Sequence, residues 1–165
     1  MQRLLLAASL LLPLIATAQS IPVANAGFEQ TLAPDDAQPT DWGQANGRRP
    51  LDTDAGTAFE GGRSLRLTGA PPFIGSAQSV DARPWQGRRV VLSGHLKGAG
   101  IGEGTTGLWL RGIDGDGRNS AFVTSYRRPL RGDTGWERRE VELLVSSTTG
   151  RLVFGAALGA PGTLW

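Results

Sequence analysis

The 165-residue chain has no cysteine. That excludes disulfide staples, thiol catalysis, thiolate-held metals and a lipid-modified N-terminal cysteine, so stability has to come from a packed core. Histidine occurs once, at His95. As a general base it would need a nucleophile and an orienting carboxylate in reach, and no Gly-x-Ser-x-Gly elbow offers the nucleophile. Charge of one sign is also scarce, with 17 Lys and Arg against 15 Asp and Glu and a formal net charge of +2. The arginines form no stripe, which argues against a nucleic-acid partner. No phosphate-binding loop and no His/Asp/Glu spacing suited to a catalytic metal is present. Glu137, Glu140 and Glu142 lie along one strand instead of facing each other across a cleft, so glycosidase-type acid pairing is absent too. Beyond the first residues nothing is apolar for long enough to span a bilayer.

What the chain does contain begins with a leader. Arg3 gives a positive start, Leu4 to Ile15 a hydrophobic run, and Ala16-Thr17-Ala18 a small-x-small cleavage pattern. Met1 to Ala18 therefore reads as a signal peptide, with the mature chain starting at Gln19. The expected location is a bacterial periplasm or the medium, with no membrane attachment after cleavage. The 24 glycines and 10 prolines are spread along the chain, which punctuates many short strands.

The central stretch is Arg88 to Lys97. Val90, Leu92 and Leu96 take alternate positions, and Arg89, Ser93, His95 and Lys97 take the others. A two-residue period of this kind marks a strand with one face in a core and one in water. Gly107-Leu108-Trp109-Leu110-Arg111 repeats it, with Leu108 and Leu110 on the core side. Asp114-Gly115-Asp116-Gly117 is the strongest hairpin signal. Further alternating runs surround Leu65, Val141 to Val145, and Leu152 to Leu158, and Trp42 is expected in the core. Gly47 to Gly56 reads as irregular, Pro71-Pro72 as a break and Gly98 to Thr106 as a flexible loop. About nine strands and no amphipathic helix predict an all-β, antiparallel, two-sheet sandwich as one domain over residues 19–165.

Several of these pieces together resemble the galactose-binding-like jelly-roll family of carbohydrate-binding modules. They are Asn25-Ala26-Gly27-Phe28-Glu29, the strand around Pro39 and Trp42, and Gly61-Gly62-Arg63-Ser64-Leu65-Arg66-Leu67. The run from Gly87 to Lys97, with Gly107 to Arg111, Thr134 to Arg138 and Gly162-Thr163-Leu164-Trp165, resembles one branch more closely. That branch is the β-sandwich on the N-terminal side of some secreted bacterial S41-type peptidases, and also beside some regulators. The resemblance implies a non-catalytic module that binds a carbohydrate or another extracytoplasmic partner. It also allows an N-terminal accessory fragment of a peptidase whose catalytic part lies beyond Trp165, or a purely structural domain. Members of the group continue past the Leu-Trp strand with an acidic segment, so the last strand is expected to be truncated, with an exposed edge. In calcium-bearing relatives that segment shares a structural Ca²⁺ with the acid of the opening motif. Glu29 matches the first ligand, and its partner acid is absent.

Candidate ligand contacts follow from faces. Trp109 and Arg111 share the non-core side of their strand, and a pairing order that brings them near His95 would form an aromatic platform with a polar fringe, as sugar sites use; the other reading is a Trp109 covered by a loop or by the second sheet. Tyr126, and more weakly Trp85, would line the rim. Two motifs carry less. Asp114 to Asn119 imitates the start of an EF-hand loop, but Arg118 stands where an oxygen ligand belongs and Ser125 where the closing glutamate should be, so a hairpin explains it. Arg131-Gly132-Asp133 is read as a loop.

Overall fold

The computed structural model describes residues 19–45, 51–69 and 73–165. The leader over Met1 to Ala18 and the break at Pro71-Pro72 lie outside these residues. Eleven strands are formed among them, more than the alternation alone predicts. They are β1 (Gly43–Gln44), β2 (Asp52–Asp54), β3 (Ser64–Gly69), β4 (Ile74–Asp81), β5 (Arg89–Leu96), β6 (Gly98–Ala99), β7 (Thr105–Asp114), β8 (Asn119–Thr124), β9 (Glu137–Leu144), β10 (Thr149–Gly159) and β11 (Gly162–Leu164). One 3₁₀ turn, Arg83–Trp85, carries Trp85.

The first layer is a continuous antiparallel sheet of five strands in the order β1-β4-β10-β7-β8. Its longest ladder joins β10 to β7, from Thr149↔Asp114 to Gly159↔Thr105. The second layer is in two pieces, β2-β3-β11-β6 and β5-β9. Lys97 links them: it exchanges both backbone hydrogen bonds with Trp165, each 2.9 Å, so β5 and β6 are halves of one bent strand. The layer thus reads β2, β3, β11, β6 running into β5, then β9.

The core lies between the layers. Leu108, Leu110, Leu152, Phe154 and Leu158 enter it from the first layer, and Leu65, Leu67, Leu96, Val141, Leu143 and Leu164 from the second. Each fully buried leucine stabilises the fold by about 1.5–3 kcal/mol. The face assignments expected for β5 and β7 hold, as do the hairpin and the solvated face of Glu140 and Glu142. In the hairpin Asp114 accepts the Gly117 amide, and Gly117 takes φ 80°, a backbone shape that suits glycine.

Three local expectations are corrected. The Gly47–Gly56 stretch contains β2, whose Asp-Thr-Asp sequence has no apolar alternation; pairing with β3 creates it, and Thr53 rather than an aliphatic residue faces inward. The Gly98–Thr106 loop is pinned, because β6 pairs with β11, Ile101 bridges Gly132, and β7 begins at Thr105. β11 is not an exposed edge, since β3 and β6 flank it on both sides.

The opening motif is a turn. The Phe28 amide donates to the Asn25 carbonyl at 3.0 Å, and Asn25 Nδ2 donates to the carbonyls of Gln30 and Thr40. Trp42, half-buried, meets Phe28 at 5.1 Å and the edge of Phe154 at 6.1 Å. Gln78, buried on β4, exchanges hydrogen bonds with both backbone groups of Ala24, which fastens residues 19–24 along the inside of the first sheet.

Candidate functional site

The outer face of the five-stranded sheet collects three of the four sequence-selected residues. On β7 the alternation sends Trp109 and Arg111 outward, and the hairpin places Thr124 and Phe122 directly across from them. Trp109 pairs with Gly155 of β10, and a Cβ at neighbouring Gly107 would press on the Tyr126 ring at 3.3 Å. Trp109 is only 5% exposed, and its Nε1 leans toward the Ala156 carbonyl at 3.4 Å. Of the two readings of Trp109, open platform or covered ring, the structure has the covered one: Trp109 is a buried floor.

The accessible aromatic on this face is Phe122, 51% exposed. The Arg111 guanidinium lies 5.7 Å from the Trp109 ring and 5.4 Å from the Phe122 ring. Cation–π contacts of this kind are worth about 0.5–1 kcal/mol each where solvent reaches them. Arg111 Nε is buried and makes no hydrogen bond among the described residues. Tyr126 completes the group: burial pushes its phenol up to about 12, and the Arg111 charge opposes that rise. The site therefore combines a flat apolar ring, a planar cation and a neutral phenol. Such a set can stack on a ring and hydrogen-bond to hydroxyls. Phe122 was legible as the residue between the inward-facing Ala121 and Val123, but its value depends on Arg111 lying opposite.

His95 is not part of this group. It belongs to β5, which pairs with β9 in the other layer, so the expected approach to Trp109 and Arg111 fails on topology. Its ring stacks on Phe59 at 3.6 Å and 14°, and Phe59 meets Trp136 edge-on at 5.9 Å. Among the described residues no hydrogen bond joins His95 to a serine or a carboxylate, so no catalytic constellation forms around it. Trp85 sits apart, 6.0 Å from the Arg88 guanidinium.

Glu29 acts as a tether. Its Oε1 accepts the Gly62 and Arg63 amides at 2.8 and 3.2 Å, tying the opening turn to the turn before β3. Two N–H donors suit a carboxylate and repel a cation, and no group of three His, Asp or Glu side chains able to hold a metal exists among the described residues. Asp114 Oδ1 is likewise spent on the amides of Asp116 and Arg118. In the Arg131-Gly132-Asp133 loop, Arg131 donates to the Gly104 carbonyl and Asp133 accepts the Gly100 amide.

No protein-family model matches the chain. A stretch of 93 residues, 56% of the chain, is 28% identical to an uncharacterized HTH-type transcriptional regulator, YbfP, of Bacillus subtilis, and spans about 31% of that regulator's length. Solved structures are similar in fold. The CBM22-1 xylan-binding domain of Paenibacillus barcinonensis Xyn10C matches with a TM-score of 0.52 and 18% identity, over 78% of this chain and 83% of that one. The module TmCBM61, solved with β-1,4-galactotriose, matches with a TM-score of 0.54 and 17% identity, over 86% and 90%. A cyclase from Fischerella sp. TAU matches with a TM-score of 0.59 and 17% identity, over 90% and 93%. At these identities the likeness establishes the β-sandwich of carbohydrate-binding modules as the fold. No helix among the described residues is long and apolar enough to cross a membrane.

Proposed function

We propose that the protein is a secreted, non-catalytic module that binds a carbohydrate on the outer face of its five-stranded sheet, with Phe122 as the stacking ring and Arg111 as the hydrogen-bonding cation. The observation that carries this reading is the exposed Phe122 ring stacked beside the Arg111 guanidinium at 5.4 Å. Sugar rings offer apolar C–H faces flanked by hydroxyls, which is the complement of that pair. The carbohydrate-binding modules among the structural neighbours support the same class of ligand. Trp109 and Tyr126 form the floor and wall that hold Arg111 in place. Any partnership with an S41-type peptidase rests on sequence resemblance alone.

Affinity electrophoresis and calorimetry against xylan, galactan, mannan and glucan panels test the proposal. Phe122→Ala and Arg111→Gln should each weaken binding by about tenfold or more, which is ~1.4 kcal/mol, without lowering the melting midpoint much. Binding by the parent that both variants leave intact would move the site elsewhere. Retardation by none of the polysaccharides would end the carbohydrate reading. Secretion is tested separately: a mature N-terminus at Gln19 in the extracytoplasmic fraction is expected.

A further inference from the structure

The formal charge of the chain is nearly balanced, but the arginines that lack an acid partner are not spread evenly. Arginines such as Arg83, Arg89 and Arg138 are ion-paired with Asp or Glu side chains. Arg63 and Arg88 donate instead to Thr53 and Gln19. Arg111, Arg127, Arg128 and Arg151 make neither an ion pair nor a side-chain hydrogen bond among the described residues. These four are far apart in the sequence, and the fold gathers them along one face.

That face is the outer side of the five-stranded sheet. On β10, Leu152 and Phe154 are buried inward, so Arg151 and Val153 turn outward. Val153 lies opposite Arg111 and Arg151 opposite Ile113, which sets Arg151 about 7 Å from Arg111 along the strand direction. In the other direction β8 runs into a turn, closed by the Arg128 amide on the Ser125 carbonyl at 3.1 Å. The Ser125 amide bonds to the Leu108 carbonyl, and a Cβ at Gly107 would meet Ser125 and Tyr126, so the turn stands beside Gly107. Gly107 is about 13 Å along β7 from Arg111, and Arg127 and Arg128 are exposed in that turn.

The acids at either end are already engaged. Asp81 of β4 is opposite Arg151 in register, but Arg83 holds its carboxylate with donors at 2.7 to 3.0 Å. Asp114 Oδ1 accepts two backbone amides, and Asp116 pairs with Arg118. At the end nearer Gly107, Glu103 is paired with Arg131.

We infer that the polysaccharide taken by this face is anionic, with carboxylates on its sugar rings. The inference rests on the carbohydrate reading of the face and adds the charge of the ligand. A uronate unit carries an apolar ring face and a carboxylate in one residue, the complement of Phe122 with the Arg111 guanidinium 5.4 Å from its ring. A guanidinium meets a carboxylate through two parallel N–H donors, a stronger match than a neutral hydroxyl makes. Arg151 and the Arg127–Arg128 turn lie to either side of Arg111 along β7, so successive charged units of one polymer would meet successive arginines. Cations at these spacings, near a Debye length of about 8 Å, repel one another weakly, and a bound polyanion relieves that repulsion.

The probes are polygalacturonate and alginate, each compared with its neutral methyl ester by calorimetry on the full chain. At least one polyuronate should bind about tenfold or more tighter than its ester at low salt, and the preference should shrink as salt rises. Arg151→Gln, and separately the double variant Arg127→Gln/Arg128→Gln, should each lower the preference by about threefold or more. Arg138→Gln, which removes the same charge from the opposite layer, should leave it unchanged. An equal fall with Arg138→Gln would reduce the effect to net charge and overturn the inference. Equal binding of acid and ester would overturn it too, while leaving the carbohydrate reading in place. Failure of acids, esters and neutral polysaccharides alike would end that reading and this inference with it. Polyglutamate, dextran sulfate or oligothymidylate held as tightly as the polyuronates would show charge recognition without a uronate ring, and would overturn the assignment.

Discussion

The two layers of the sandwich are built from similar amounts of strand but close in different ways. In the first, β10 is paired along both flanks by β4 and β7, and side chains such as Leu152 and Leu158 are sealed at 1% and 0% exposure. In the second, β5 is paired on one flank only, and Leu92 at its centre remains half-buried over a trough. Alternation is equally clear in both. The difference teaches that a period-two pattern reports which face of a strand is greasy, whereas sealing a core depends on how many neighbours that strand acquires.

The contrast can be broken most sharply with glycine. A Cβ at Gly155 of β10 would collide with the backbone carbonyl of Ser76, which cannot move without tearing the ladder. Gly155→Val should cost about 3 kcal/mol or prevent folding. At Gly94 of β5 a Cβ would meet Leu108 methyls at 3.7 and 3.8 Å, ordinary contact. Gly94→Ala should leave the urea midpoint unchanged or raise it. Equal losses at the two sites would erase the distinction between layers.

Core truncations give the next largest separation. Leu152→Ala should cost about 2–5 kcal/mol, because it opens a cavity in a sealed region. Leu92→Ala should cost less than about 1 kcal/mol, since the site already borders open space. Chemical denaturation of both variants checks the ordering, and a larger loss at Leu92 would show that the cavity of about 540 Å³ beside it is closed in solution.

Smaller effects come from titration. The Trp165 indole donates to Asp54 at 2.8 Å, and this bond, with the Gly56 amide, holds the Asp54 carboxyl below its usual range. A depressed carboxyl stabilises the fold above the unfolded value of about 4 and loses that contribution as pH falls through the folded value. Asp54→Asn should therefore lie below the parent in stability at pH 6 and converge with it in strong acid. Parallel melting curves down to pH 3 would show it; a constant gap would remove the second layer's acid-sensitive tie.

Tyr126 probes the first layer in the other direction. It is the single tyrosine, so its phenolate absorbance can be followed alone. Burial raises it to about 12, and the native titration should lie well above the unfolded midpoint near 10. A raised phenol stabilises below the unfolded value, and the contribution is lost as pH climbs through the folded one. A native midpoint near 10 would mean that the turn beside Trp109 is open, and that the candidate site is wider than described.

Much of this architecture was readable from residue order. The inward positions of Val90, Leu108 and Leu110 followed from spacing, as did the Asp114–Gly117 turn and the wet face of Glu140 and Glu142. β2 and β6 were not readable, because Asp-Thr-Asp and a glycine-alanine pair acquire strand character only when β3 and β11 lie beside them. The candidate site was half readable: Trp109, Arg111 and Tyr126 do assemble, but His95 was drawn toward them by its resemblance in pattern to β7. A local pattern carries no address for the partner strand.

By itself, then, residue order determined the all-β class, the greasy and wet sides of the main strands, and the absence of thiol chemistry. Those properties are local, set by side-chain type and a two-residue period. The tertiary structure alone decided that β5 and β7 lie in opposite layers and that Trp109 is floor while Phe122 faces solvent. Each of these depends on contacts between residues distant in sequence, where the free energy of burial and of completed ladders chooses among pairings that the pattern leaves equivalent.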